Sequence, residues 1–368
     1  MLILWILLGF GVLLLTQRLI YVKYWNRNIT VTFRFSQHAV TEGESAELSE
    51  RSENRKLLPL PTFGYRYYLN RSFTSLSEAG KKAIALRRKF ALPARRAVTN
   101  RAKIEGLLRG VYSVDGVQID ATDLFHFAEL QSPIRFGNSR LIVYPAKVPV
   151  QKIVPAARLL LGAVTARRTL QEDPFALKSI RPYEIYDSPR IINWKASAKT
   201  GELKVNQYDN TTDEALIFLL DMGGGEIDAR EELIRVASSL SQLFLRRGVS
   251  VALLANCRDC ISGKPIRVRS GADAAHQITI DENLALIKLT LPVTEPFSEF
   301  LSGIPRATLN GALPVVLSAD PTGAAREAFL RAPEIRDGFF LSVTDGSIQT
   351  ERKLTLISAG ATGKEARL

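Results

Sequence analysis

The first stretch of the chain, Met1 to Leu15, carries no charged or polar side chain. In hydrocarbon every backbone N–H and C=O must be paired within its own segment, so such a run enters a bilayer as a helix. Fifteen residues fall short of the roughly twenty needed to cross a core of about 30 Å. Leu19, Ile20, Tyr21 and Val22 extend the apolar face, while Gln17 and Arg18 can snorkel. Tyr21, Tyr24 and Trp25 are then expected to form an interfacial aromatic belt. A cleaved signal peptide fits poorly, because no basic residue precedes the run and Thr16–Leu19 offers no small-residue cleavage site. Arg18, Lys23 and Arg27 all follow the run. By the positive-inside bias they place the remainder in the cytoplasm, with residues 1–26 as a single-pass anchor in the cell membrane.

Period-two alternation takes over after the anchor. Thr30–Phe35 alternates like a half-buried strand, Glu42-Gly43-Glu44 marks a turn, and Ala46–Glu50 reads as the return strand. Val111–Asp120 is expected to be a hairpin, since Asp115-Gly116 accepts the positive φ angles of a type I′ turn. Gly137-Asn138 marks another turn before Arg140–Tyr144. Residues 27–150 are therefore expected to form a small β-sandwich-like domain.

The span 151–212 is irregular and reads as a linker. From residue 213 the pattern changes again. Ala215–Leu220 is a continuous apolar run ending at Asp221, as expected of a strand buried on both faces. Asp228 and Glu231 resemble a capping box, and Leu233, Val236, Leu240 and Phe244 then recur on one helical face before Gly248. Further apolar runs at Val249–Leu254, Leu313–Leu317 and Phe339–Val343 surround a helical segment at Ala324–Leu330. Strands alternating with helices predict a doubly wound α/β domain over 213–368, making the whole an α+β multidomain protein.

Charge sharpens the picture. The net charge is +12, and ten basic residues between Lys81 and Arg109, against Glu105 alone, supply about three quarters of it. With an anchor nearby, this face is expected to turn towards anionic lipid headgroups. No aromatic-interleaved motif accompanies it, so nucleic acid is not an expected partner. The two cysteines, Cys257 and Cys260, are too few for a disulfide framework and lack a second pair for a zinc site. They read as ordinary loop thiols in a reducing compartment.

The strongest motif lies in the span read as a linker. Arg181, Tyr183, Asp187, Arg190, Ile192, Trp194, Lys195 and Ala198 resemble the defining segment of the domain-of-unknown-function-58 family. Tyr186 and Asn193 stand where that family usually has glycine and aspartate. Arg109-Gly110-Val-Tyr112, Asp123-Leu-Phe125 and Val143-Tyr-Pro145 look like the family's preceding landmarks. The resemblance implies a bacterial, membrane-tethered protein, often encoded beside a MoxR-type AAA+ ATPase, with a von Willebrand factor type A-like domain at its end and no established reaction. From residue chemistry, Arg181, Asp187, Arg190 and Lys195 could pair to lock the segment beside the sheet, with Trp194 as a buried plug. A structural clasp is the first reading of this segment and a partner-docking surface the second.

Metal and catalysis find little support in the residues. Type A domains that hold a divalent cation use Asp-x-Ser-x-Ser, where carboxylate and hydroxyls supply hard oxygens. Here the text is Asp221-Met-Gly-Gly-Gly225, which leaves Asp221 as a weak candidate ligand and suggests a flexible loop at the carboxyl end of the sheet. No phosphate loop, nucleophile elbow or His-Glu-x-x-His occurs, and the three histidines His38, His126 and His276 make a triad improbable. His126 reads as a packing residue of the β-domain. The expectation is a non-catalytic membrane-anchored interaction protein without cofactor, presenting its second domain to a cytoplasmic partner. The alternative is a divalent-metal-dependent ligand-binding domain with a degenerate metal motif.

Overall fold

The computed structural model describes residues 2–71, 84–137, 139–170, 177–184, 189, 192–208, 215–309, 311–320, 322–335, 337–344 and 347–354. It divides into two compact units. The first holds residues up to Ala146 together with Asp259–Gly263 and Asp281–Leu291; the second holds Lys147–Arg258, Lys264–Ile280 and the chain from Pro292. The span expected to be a linker thus falls within the second unit.

The first unit begins with a helix, Leu2–Tyr24, of which Ile3–Tyr24 is long and apolar enough to cross a membrane. Two sheets follow. β1 (Ile29–Phe35), β3 (Ala46–Asn54), β6 (Ala97–Ile104) and β9 (Phe136–Gly137) make one, in the order β6-β3-β1-β9. β2 (Ala39–Thr41), β4 (Leu60–Arg71), β5 (Ile84–Leu92), β7 (Gly110–Thr122) and β10 (Leu141–Tyr144) make the other, in the order β2-β10-β7-β4-β5, with β8 (Glu129–Pro133) also paired to β7. Alternation sends Val31, Phe33, Leu48, Phe63, Tyr65, Tyr67, Val114 and Ile119 into one shared core.

The hairpin expected at Asp115-Gly116 is not one. β7 runs straight through these residues, and its register against β4 slips by one between Arg66/Gln118 and Tyr68/Asp115. Gly116 sits at φ +61°, the left-handed geometry that a β-bulge uses as readily as a tight turn does. Continuous pairing along β4 decides between them.

The second unit holds a six-stranded sheet in the order β15-β14-β13-β16-β17-β18. These are β13 (Ala215–Asp221), β14 (Ser250–Arg258), β15 (Pro265–Gly271), β16 (Ala312–Ser318), β17 (Asp337–Thr344) and β18 (Ser347–Leu354). The helix Ile227–Leu245 buries Leu233, Val236, Leu240 and Phe244, while Phe297, Phe300 and Phe329 cover Ile217, Leu219 and Leu254. Glu226 holds the N-cap position without a side-chain cap bond, and Asp228 lies inside the first turn, so the expected capping box does not form. A helix of 21 residues, Val150–Leu170, occupies the start of the supposed linker, with Pro155 inside it.

The expected fold class needs correction. Among the described residues strand exceeds helix, at 40% against 32%, so the structure is mostly β. The last sheet is mixed: β15 pairs antiparallel with β14, and β18 with β17, closing both edges with hairpin strands. A doubly wound, type A-like α/β domain does not describe it. The apolar runs had revealed only the four buried parallel strands. The two edge strands alternate with exposed polar residues, and that signal was left unassigned.

Candidate functional site

Asp221 ends β13 at the carboxyl side of the parallel strands, where open sheets place ligands. Both of its carboxylate oxygens are already engaged. Oδ1 accepts from the Gly223 amide at 3.0 Å and from Asn256 Nδ2 at 3.2 Å, and Oδ2 accepts from Ser318 Oγ at 2.9 Å. Asn256 Oδ1 in turn accepts from the Met222 amide at 2.8 Å. Ser318 Oγ accepts from the Asp320 amide at 3.0 Å. Burial works against the Asp320 carboxylate, but donors from Thr322 and the Ala325 amide hold its pKa below the usual range. The glycines are there for close approach. A Cβ at Gly224 would lie 2.4 Å from Asp320 Cβ, and one at Gly225, with φ +82°, would lie 2.1 Å from the Ala319 carbonyl oxygen. The supposed flexible loop is packed. Among the described residues no cluster of three or more His, Cys, Asp or Glu could hold a metal ion.

The family-like segment lies beside a two-stranded ladder of β11 (Leu177–Pro182) and β12 (Lys204–Tyr208). Arg181 is on β11, with its guanidinium 3.9 Å from Glu184 and donating to the Pro182 carbonyl at 3.1 Å. The Tyr183 amide donates to the Leu203 carbonyl at 2.9 Å. Asp187 and Arg190 lie outside the described residues. Asn193 caps the short helix Trp194–Thr200: its Oδ1 accepts from the Ala196 amide at 2.9 Å, and Gly201 at φ +74° closes the other end. Trp194 opens that helix and is 68% exposed, beside exposed Lys195. The buried plug expected from residue chemistry is absent. Nothing in the local pattern signalled this.

Several of the ten basic residues lie close to carboxylates. Lys81 and Lys82 lie outside the described residues. Arg87 and Lys89 approach Asp120, Arg88 approaches Glu50, Arg101 pairs with Glu47, and Lys103 pairs with Glu105. These side chains are spread along β5 and β6, the edge strands of the two sheets. Charge on an exposed edge also blocks pairing with another chain. Arg109 is fully buried, donating at 2.6 Å and 2.9 Å to the carbonyls of Leu284 and Ile287. It stitches a distant segment into the first unit.

The anchor helix is held at its C-terminal end. Tyr21 and Trp25 are 3% and 5% exposed and belong to the sandwich core, so only Tyr24 of the expected aromatic belt faces outward. The Tyr21 hydroxyl donates to the Pro59 carbonyl at 2.8 Å. The Lys56 ammonium donates to the carbonyls of Tyr24 and Trp25, orphan acceptors at a helix end, and burial pushes its pKa down to about 8. His126, expected to pack, is instead exposed at φ +59°, its ring 3.0 Å from the Thr122 hydroxyl. Cys257 is a buried strand residue rather than a loop thiol. Cys260 is half-buried, and burial followed by the neighbouring Asp259 charge raises its pKa.

No family model matches the chain, and no curated protein matches it. Among solved structures it is similar to a CARDB domain from Pyrococcus furiosus, crystallised with di-metal ions: 15% identity, 31% of this chain, 91% of that one, TM-score 0.23. It is also similar to the seventh ScaB type I cohesin of Pseudobacteroides cellulosolvens: 12% identity, 33% of this chain, 95% of that one, TM-score 0.20. A third likeness is to BslA, a bacterial hydrophobin, at 11% identity over 32% of this chain and 97% of that one, TM-score 0.21. Likeness this slight says nothing about function.

Proposed function

We propose that the protein is a non-catalytic, membrane-anchored interaction module, tethered by Leu2–Tyr24 and presenting the segment around Trp194 to a cytoplasmic protein partner. The observation that carries this reading is the exposure of Trp194. A large aromatic displayed on a capped helix, with a cation beside it, has the composition of an interface anchor. The resemblance to the domain-of-unknown-function-58 family supplies a partner to test, a MoxR-type AAA+ ATPase. Arg18, Lys23 and Arg27 support a cytoplasmic orientation. Arg95 and Arg96 are exposed where the chain beside β3 and β6 meets the anchor's end, a position that supports contact with lipid headgroups.

The test is co-purification from solubilised membranes. The full-length chain is expected to retain the ATPase, and Trp194→Ala is expected to lose it while still folding, since the side chain is exposed. Retention by Trp194→Ala would remove the docking assignment. Absence of the ATPase from both would remove the partner.

A further inference from the structure

We infer that the loop Asp123–Ala128 is a second membrane contact, an apolar finger that enters the headgroup boundary of the leaflet in which the anchor ends. The inference rests on the anchor reading above and adds a site to it. The segment linking β7 to β8 runs alongside the anchor helix. Asn26 Nδ2 donates to Ser132 Oγ at 3.4 Å, and Gln17 Nε2 donates to Asp123 Oδ2 at 3.2 Å. The helix ends at Tyr24, so at 1.5 Å per residue the chain climbs roughly 10 Å along it between Ser132 and Asp123. The stretch apolar enough to cross a membrane ends at Tyr24, which leaves Gln17 roughly 10 Å inside that end. A finger bonded to Gln17 therefore reaches lipid.

Its tip is built for that depth. Leu124, Phe125 and Phe127 are exposed, Phe127 by 67%, and the two phenyl rings sit 6.3 Å apart. Interfacial segments bury apolar side chains about 5–10 Å into this region. The base of the loop is closed by its own hydrogen bonds, which spare those polar groups from needing water. Asp123 is fully buried and also accepts from the Ala128 amide at 3.0 Å. The His126 amide donates to the Asp123 carbonyl at 3.2 Å, and the Asp123 amide to the Ala128 carbonyl at 3.3 Å. Arg18 lies beside Gln17, and Lys23 and Arg27 follow towards the end of the anchor, where Arg27 stacks 4.9 Å from the Tyr24 ring. Cations beside an apolar tip match an anionic lipid surface better than a protein partner.

The experiment uses the full chain, with Cys257 and Cys260 replaced, reconstituted in vesicles containing anionic phospholipid. An environment-sensitive fluorophore is attached at Phe127→Cys, and separately at Leu124→Cys, Leu13→Cys and Glu105→Cys. Glu105 follows the end of β6 that pairs with Ala46, the opposite end of β3 from the anchor. Brominated lipid is expected to quench and blue-shift the labels at 127, 124 and 13, and to leave 105 unchanged. Quenching at 13 without quenching at 124 and 127 overturns the finger and leaves the anchor standing. No quenching at 13 overturns the anchor, and the finger with it. Cross-linking between copies through 127, without lipid quenching, would assign the tip to a second copy and overturn the lipid contact.

Discussion

Glu50 and Asp221 are both carboxylates taken out of water, one in the first unit and one in the second. Glu50 faces into the sandwich from β3 and is satisfied by side chains of the opposite sheet: the hydroxyls of Tyr65 and Tyr67 both donate to it, and Arg88 approaches at 3.7 Å. Burial, then the bond to Glu50, raises both phenol pKa values. Asp221 is satisfied close to home, by the turn that follows it and by the ends of the two flanking parallel strands. Glu50 thus joins two layers, whereas Asp221 closes one edge. A buried carboxylate is often taken as a sign of chemistry. Here each has a structural account, and the two accounts differ in what removal should cost.

The largest effect is expected at Glu50→Ala, which strands two buried hydroxyls that cannot reach water. Loss of about 3–5 kcal/mol is expected in urea unfolding of the full chain in detergent. Glu50→Gln keeps shape and one acceptor, so about 1–2 kcal/mol is expected. Equal losses for the two would mean that the hydroxyls find other partners. Next comes Gly225→Ala. Its positive φ and the 2.1 Å approach to the Ala319 carbonyl oxygen together should cost about 2–4 kcal/mol. A neutral result would restore the flexible-loop reading of the glycines. Asp221→Ala removes three accepted bonds, of which water can replace the one from the exposed Gly223, and about 1–2 kcal/mol is expected.

The contrast also shows what was legible in the sequence. Glu50 follows Ala46 and Leu48 at period two, so its inward direction could be read, but the tyrosines that receive it come from another sheet and no local pattern names them. Asp221 closes an apolar run and was visible as a strand end. Asp115-Gly116 misled because turn and bulge ask the same φ of glycine, and only long-range pairing separates them. The helix Val150–Leu170 has Ile153, Ala156, Ala157, Leu160 and Val164 on its buried face, a helical spacing obscured by Pro155. Trp194 shows the limit of residue chemistry: size and hydrophobicity argue for burial, and the side chain stands exposed at the start of a short helix. The exposed Leu124-Phe125-His126-Phe127 tip carries a signal, large apolar residues in a loop, and of that tip only His126 was expected to pack.

The smallest expected effect is that of Mg²⁺. A divalent cation needs several hard oxygens at fixed geometry, and Mg²⁺ demands a near-octahedral set. At the carboxyl edge Asp221 has both oxygens committed, and Asn256 Oδ1 and Ser318 Oγ are each accepting from a backbone amide. To bind, the ion would have to displace the bonds that hold the Gly223–Gly225 turn against Ala319 and Asp320. A ligand present at a hundred times its dissociation constant would stabilise the fold by about 2.7 kcal/mol. Millimolar Mg²⁺ or Mn²⁺ is therefore expected to leave the unfolding temperature of the full chain unchanged. A clear upward shift that vanishes in Asp221→Ala would show that the turn opens for an ion, and that Asp221 and Glu50 differ in function as well as in architecture.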